Sequence, residues 1–479
     1  DVPLMGALPG SFGGVASFPD ASRSPRPEFV PRVARMQAET FPDNPIALEG
    51  LNSLYLNTAR ALELKEPQVE ALRAWVLAGG QLIVAVDQPN DVSATAWLRD
   101  LLPAEIRGQT NRVVGPELHR WLSQIAWDPA FAFRIPRLES GSDPGTGMFF
   151  QLTPDPALAT APIPLLQLRA ASGSSATLER TADGTAWMAW GPRGRGQVIL
   201  LAMNPEREPL KSWTQRPWFW AKLAAVPPRW LVNEKQEFRM GRGVDGIFGS
   251  MVETRQIRKL PIGALLLLLV VYLAVIGPVD QWWLRKINRP MLTWITFPVY
   301  VVFFSGLIYF IGYKLRAGQT EWNELQVVDV MPEGDSSRAI LRGRTFGGLY
   351  SPANDTYELI TRAPGAALRG EFRNLFGGSP DPGRLTAKMG AQQLEAQAYV
   401  PVWTSSLNVA DWTERNESPL GVRARSESVV EIENRTRKPL GPVWVVRGSQ
   451  VVQLASIGPG SRADANFGGS GGTLDELLS

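Results

Sequence analysis

Cysteine is absent from the 479 residues, and histidine occurs once, at His119. The first absence excludes disulfides, thiolate nucleophiles and cysteine-ligated metals. The second leaves His119 as the sole imidazole for any triad or histidine-based metal site. An excess of charge is missing too: Lys and Arg number 49, Asp and Glu 46, for a net charge of +3. With no Lys/Arg block, that charge is too balanced to suggest a chain built to bind nucleic acid. Mean hydropathy is −0.09, so long apolar runs are local exceptions. The chain opens at Asp1 without a basic n-region or apolar h-region, so any signal peptide is expected to have been removed or to lie outside it.

Two apolar runs stand out. Leu260–Val279 and Met291–Tyr313 carry no charged residue. As helices each covers roughly 30 Å, the thickness of bilayer hydrocarbon. They are apolar all round, where a helix on a soluble core has one apolar stripe. Trp282, Trp283 and Trp294 mark one boundary, and Tyr309 and Tyr313 the other, as in interfacial aromatic belts. Gly277-Pro278 and Pro298 are tolerated in membrane helices. The expectation is a two-helix transmembrane hairpin in a lipid bilayer, with residues 280–290 as its connection. Trp282, Trp283, Trp294, Tyr313, Arg285, Lys286 and Arg289 are its candidate membrane-interface residues. A short connection puts both flanking regions on one side. Charge does not choose that side, because Arg255, Arg258, Lys259, Lys314 and Arg316 balance the connection's three basic residues.

Residues 1–250 read as an α/β domain. Ser53–Leu56 is a short strand pattern, and Glu66–Ala78 a helix with Pro67 in its first turn and Gly79 past its end. Val69, Leu72, Trp75 and Val76 form its apolar stripe. Gln81–Val86 and Gln197–Ala202 are continuous apolar runs, as in buried parallel strands. Strand, helix and strand imply an α/β parallel sheet covered by helices. Residues 319–465 change to short alternating runs, among them Leu325–Val330, Ala339–Leu341, Tyr357–Ile360, Val429–Glu433, Val443–Arg447 and Gln450–Ala455. Such spacing predicts an all-β, immunoglobulin-like sandwich. Residues 466–479 read as a flexible tail with a short terminal helix.

"QVEALRAWVLAGGQLIVAV", "GRGQVILLAMNPEREPL" and "YLAVIGPVDQWWLRKINRPMLTWITFP" together resemble a family of bacterial membrane proteins. Its members carry a class I glutamine amidotransferase-like domain ahead of a transmembrane hairpin. They are often encoded near MoxR-type AAA+ ATPases and von Willebrand-type membrane proteins. The likeness covers residues 50–90 and 190–315 best. It implies that the N-terminal domain is extracytoplasmic and that Arg285, Lys286 and Arg289 face the cytoplasm. An amidotransferase needs a cysteine nucleophile, which this chain lacks, and no G-x-S-x-G elbow supplies a serine. His119, in "GPELHRWLSQIAW", reads as a surface residue of a helix.

Three patterns imitate sites. "GRGVDG" (Gly241, Gly243, Gly246) matches a dinucleotide fingerprint but lacks the strand before it and the helix of a β-α-β unit; it reads as a juxtamembrane loop. "GPRGRG" precedes its strand, where phosphate loops follow theirs, and reads as a turn. "DASRS" (Asp20, Ser22, Ser24) matches a von Willebrand metal pattern, but Pro19, Pro25 and Pro27 make it an extended loop. Glu206 and Glu208, in "MNPERE", offer carboxylates at the end of a strand, with a salt-bridged loop as the plain reading.

These readings point to a non-enzymatic membrane subunit of a bacterial inner-membrane complex, with no cofactor or metal and other membrane subunits as partners. Two alternatives stay open: an auxiliary subunit of an ATPase-driven transporter, and an envelope hydrolase working through carboxylates, with 17 tryptophans available for sugar stacking.

Overall fold

A computed structural model describes residues 2–19, 30–124, 152–171, 176–226, 231, 244–252, 262–316, 319–333, 337–363, 365–369, 385–390, 393–402, 404–469 and 472–474. The "DASRS" stretch and Gly241 and Gly243 of "GRGVDG" lie outside these residues; Gly246 falls within the helix Val244–Val252.

The N-terminal region is built on a seven-stranded sheet. Its strands are β1 (Leu4–Leu8), β2 (Arg32–Arg35), β3 (Ser53–Asn57), β4 (Gln81–Ala85), β7 (Thr177–Arg180), β8 (Ala186–Arg193) and β9 (Gly196–Leu201), in the order β2-β1-β3-β4-β9-β8-β7. β5 (Ala104–Val113) and β6 (Pro162–Ala170) form a separate antiparallel pair. β3 and β4 are buried along their whole length, which their unbroken apolar sequences require. The helix Glu66–Ala78 joins them with Pro67 in its first turn, and the Gln68 side chain caps it by accepting from the Lys65 amide at 2.8 Å. Gly79 ends it at φ 130°, a conformation glycine alone adopts without strain.

Five strands, β2, β1, β3, β4 and β9, are parallel as expected. The sheet as a whole is mixed, because β8 and β7 run antiparallel at one edge. Gly194 and Arg195 of "GPRGRG" cause this: they form a turn, with Gly194 at φ 60°, that brings β9 back antiparallel onto β8, whose end holds Gly191, Pro192 and Arg193. The tryptophans of "WMAW" and the Phe219-Trp220 pair of "WFW" are core, with Trp187 and Trp220 almost wholly buried.

Among the described residues, two helices are long and apolar enough to cross a membrane, Leu266–Lys286 and Pro290–Ile311. The first differs from the expected span. It runs through a π-turn at Val275–Val279, which accommodates Pro278 and its missing N–H, and continues as Asp280–Lys286. The expected connection of 280–290 therefore shrinks to about 287–289, with Asn288 in the left-handed region at φ 54°. Apolar side chains point outward along both helices, Leu269 54% and Val302 72% exposed among them.

The C-terminal region is all β. β10 (Glu321–Glu333), β11 (Arg338–Ser351), β16 (Thr404–Glu417) and β13 (Ala367–Arg369) form one sheet in that order. β12 (Asp355–Thr361), β15 (Leu394–Val400) and β14 (Leu385–Met389) form an antiparallel second. Two smaller antiparallel sheets occupy 420–474. The expected flexible tail is ordered in part: Phe467 is buried, and Gly472–Thr473 pairs with Gln450 and Val451.

Packing divides the chain into two compact units. The first unit holds 1–239, 329–342 and 415–479; the second holds 240–328 and 343–414. Segments after the hairpin thus share a unit with the N-terminal sheet. Met331 and Ile340 cluster with Ala74, Leu77 and Ala78 of the helix Glu66–Ala78. Arg415 reaches Glu70 at 2.5 Å and Glu333 at 2.7 Å, and Arg342 holds Glu49 through two nitrogens at 2.6 and 2.7 Å.

Candidate functional site

In an open α/β sheet, the place for a ligand is the crevice beyond the carboxyl ends of the strands, where the strand order reverses. Here the reversal falls between β1 and β3, because β2 lies outside β1 while β4 lies beyond β3. The chain fills that crevice with one of its own side chains. Glu206 arrives on the loop that follows β9 and is 8% exposed. Asn204 shapes the loop: its Oδ1 accepts from the Glu206 amide at 2.9 Å, and its Nδ2 donates to Asp87 at 2.7 Å. Arg207 pairs with the same Asp87 oxygen at 2.9 Å.

Five donors converge on the Glu206 carboxylate. Oε1 accepts from the Gly10 amide at 2.9 Å, the Tyr55 hydroxyl at 2.8 Å and the Asn57 amide nitrogen at 2.8 Å. Oε2 accepts from the Ser11 amide at 2.9 Å and the Ser11 hydroxyl at 3.0 Å. Gly10 and Ser11 form the turn after β1, while Tyr55 and Asn57 end β3, so the carboxylate ties the two strands on either side of the reversal. Gly14 completes the fit, since a Cβ there would lie 1.9 Å from Oε2. Arg216, from the helix Arg216–Leu223, donates to the Gly14 carbonyl at 2.9 Å and adds a buried positive charge nearby.

The electrostatics follow from this geometry. Burial pushes the Glu206 carboxyl up. The donors from Gly10, Asn57, Tyr55 and Ser11 outweigh it and hold it below its ordinary value. Tyr55 moves the other way: burial raises its hydroxyl well above the ordinary value, and the Glu206 charge raises it further. An ionised carboxylate of low basicity, already accepting five hydrogen bonds, is a poor general base and leaves no acceptor face to a substrate.

Glu206 is therefore not part of the salt-bridged surface loop expected from "MNPERE"; its partners are neutral donors. Glu208 is exposed to solvent in part and accepts from the Ser212 amide and hydroxyl at 3.2 and 2.6 Å. His119 lies on the helix Gly115–Ser123 as expected, but half-buried instead of at the surface, with its Nδ1 buried and unpartnered. Sequence reasoning missed Gly10, Ser11, Gly14, Tyr55, Asn57 and Arg216. The available signal was "LPGSFGG", a glycine-rich turn directly after a buried strand.

A second buried cation stands in the same unit. Lys222 is 3% exposed and donates to the Leu122 and Gln124 carbonyls at 3.2 and 3.1 Å, as well as to the Trp121 carbonyl. It satisfies the end of the helix Gly115–Ser123 and sits 4.6 Å from the Trp121 ring centroid. Burial lowers its pKa to about 7.

The membrane-interface candidates cluster at the hairpin turn. Trp282, Trp283, Arg285 and Lys286 are exposed on the helix before it, and Arg289 and Trp294 are exposed after it. Lys286 lies 5.3 Å from the Trp282 ring centroid. Tyr313 falls within the helix Thr293–Arg316, toward the opposite end.

No protein-family model matches the chain, and no curated protein does. Among solved structures, a cytoplasmic protein from Salmonella typhimurium aligns at 12% identity over 47% of this chain and 99% of its own, with a TM-score of 0.30. A second cytoplasmic protein from the same organism aligns at 13% identity over 40% and 80%, with a TM-score of 0.27. An exo-beta-1,4-mannosidase from an Opitutaceae bacterium aligns at 14% identity over 47% and 36%, with a TM-score of 0.25. Likenesses this slight transfer neither fold nor activity.

Proposed function

We propose that the chain is a non-enzymatic, membrane-anchored subunit of a bacterial envelope complex. Its hairpin crosses the inner membrane, and an inactive amidotransferase-like domain and immunoglobulin-like β-modules stand together on the extracytoplasmic face to bind partner subunits. One observation carries the shared face. Residues before the hairpin (1–239) and after it (329–342 and 415–479) belong to one compact unit, which no bilayer can divide. The exposed apolar side chains of both helices support spanning, because that surface is costly in water and free in lipid. The filled crevice supports the non-enzymatic part: the position where this fold class binds substrates is occupied by Glu206. The extracytoplasmic side rests on the family resemblance.

The absence of cysteine makes topology directly testable. Gly50→Cys, Ser426→Cys and Ile287→Cys are exposed single sites for a membrane-impermeant maleimide on spheroplasts. The first two should label at once, and the third only after permeabilisation. Opposite behaviour of Gly50→Cys and Ser426→Cys overturns the hairpin. Labelling of Ile287→Cys alone overturns the extracytoplasmic placement. Mild extraction should yield a stoichiometric partner by mass spectrometry; a chain that runs alone overturns the subunit reading.

A further inference from the structure

The sheet β10-β11-β16-β13 has two faces of different character. On one, Phe346, Leu407 and Val409 pack with Val252 and Phe248 of the helix Val244–Val252. That face is the core. Strand periodicity puts the alternate residues on the other face. That other face lines a cavity of about 740 Å³ opposite β12 and β15, within the second unit. Ligand cavities typically measure about 300–1,000 Å³.

The lining is built in a repeated form. Trp322 and Glu324 occupy alternate positions of β10, and Trp412 and Glu414 alternate positions of β16. Each indole is seated on a glycine of β11. A Cβ on Gly343 would lie 2.0 Å from Trp412 ring atoms, and one on Gly347 would lie 2.3 Å from Trp322. Each indole N–H is tied down: Trp412 Nε1 donates to Thr345 at 3.0 Å, and Trp322 Nε1 to Glu324 at 3.0 Å. Rings fixed in this way present apolar surface at little cost in rotamer entropy. Deeper in the cavity Asn408 is 3% exposed. Its Nδ2 donates to Ser406 at 3.2 Å, while its Oδ1 is buried without a partner. A buried amide oxygen left unsatisfied costs about 1–3 kcal/mol, which a ligand donor recovers.

From this arrangement we infer that the groove binds a neutral glycan chain, with Trp322 and Trp412 as stacking platforms and Asn408 Oδ1 as an acceptor for a sugar hydroxyl. The C–H face of a pyranose is apolar and suits an indole. Its rim hydroxyls are donors, and the lining is rich in acceptors: the Glu324, Glu358 and Glu414 carboxylates and Asn408 Oδ1, against the guanidinium of Arg362. A small organic cation suits the net charge but not the orphan amide or the two separated rings. The inference stands on the groove alone and is independent of the scaffold reading.

The test uses the full chain in lipid nanodiscs, since alkyl-glycoside detergents would themselves occupy the groove. Calorimetric titration with cellohexaose and chitohexaose should give saturable binding, with Kd between about 10 μM and 1 mM. Trp322→Ala and Trp412→Ala should each weaken it at least about tenfold, and Asn408→Leu by about tenfold. Glu414→Gln, at an exposed position, is the variant least able to disturb folding and should weaken binding a few-fold. Absence of saturable heat with both glycans up to about 10 mM overturns the proposal. So does glycan binding that these variants leave unchanged, or saturable binding of tetramethylammonium in place of both glycans.

Discussion

Replacing Glu206 by Gln tests whether the crevice is a structural joint. The side chain keeps its size and loses its charge and one acceptor oxygen. Whichever way the amide is turned, its NH2 faces donors. Turned toward Ser11, it leaves the Ser11 N–H unpaired, although the hydroxyl can rotate to accept. Turned the other way, it faces Gly10, Tyr55 and Asn57 at once. The first arrangement is cheaper. It costs about 1–3 kcal/mol for one buried unpaired N–H, and the loss of charge-assisted bonds raises the total to about 3–4 kcal/mol. The pH dependence has a definite sign. A carboxyl held below its ordinary value of 4.5 in the folded state stabilises at pH above that value, and this contribution is lost as pH falls through the folded pKa. The Gln variant should therefore be less stable at pH 7 but should have lost the parent's acid sensitivity on this account. Hydrogen exchange of peptides spanning Leu4–Ser11 and Ser53–Asn57 reads both quantities in the intact protein. An opening free energy unchanged to within about 0.5 kcal/mol at pH 7, or an unaltered acid dependence, refutes the reasoning.

Two further predictions follow from the same unit. Gly14→Ala should displace the Glu206 carboxylate and expose the same peptides to exchange, at a cost of about 2–4 kcal/mol. Gly50→Ala, where a Cβ meets nothing within 4 Å, should be close to neutral. Lys222, with a folded pKa of about 7 against an ordinary 10.5, binds its proton less tightly when folded, so stability should rise with pH between those values. Thermal unfolding followed by near-ultraviolet circular dichroism should show this slope in the parent and lose it in Lys222→Met; equal slopes would exclude the assignment.

The sequence patterns that proved most legible are those enforced locally. The strand at 53, the helix Glu66–Ala78 and the strand at 81 lie within a residue or so of their expected places, because burial on both faces and the Pro67 and Gly79 signals fix their ends. The two apolar helices are legible because their charge-free runs are local, although the first runs on past its expected end to Lys286. The Glu206 joint is not: its donors lie about 150 to 200 residues away in sequence, so no window contains the pattern. The π-turn at Val275–Val279 also escapes local reading, since Pro278 predicts a break as readily as a widened turn. In the C-terminal region Trp-x-Glu recurs at Trp322 and Trp412, but short alternating runs do not reveal that β10, β11 and β16 exceed ten residues and pass from one unit into the other.

That division has a consequence for how the first unit is assembled. Every strand of the seven-stranded sheet, and the helix Arg216–Leu223, precede the hairpin. Segments after it add no strand to that sheet; they cover Ala74, Leu77 and Ala78 and form ion pairs that are partly exposed. Such pairs contribute about 0–1 kcal/mol each, and the apolar cluster is small. Bringing residue 329 back to a unit that is left at residue 239 closes a segment of about 90 residues, which costs roughly 4 kcal/mol as a flexible loop. The cover is thus marginal if the intervening chain is free. On the membrane-anchored reading proposed above, two helices fixed side by side in one bilayer would remove most of that freedom in advance, since both ends would then emerge on the same face. On that reading the hairpin would do more than anchor: by restricting the return path, it would make a weak intramolecular interface sufficient to hold the later segments against the sheet.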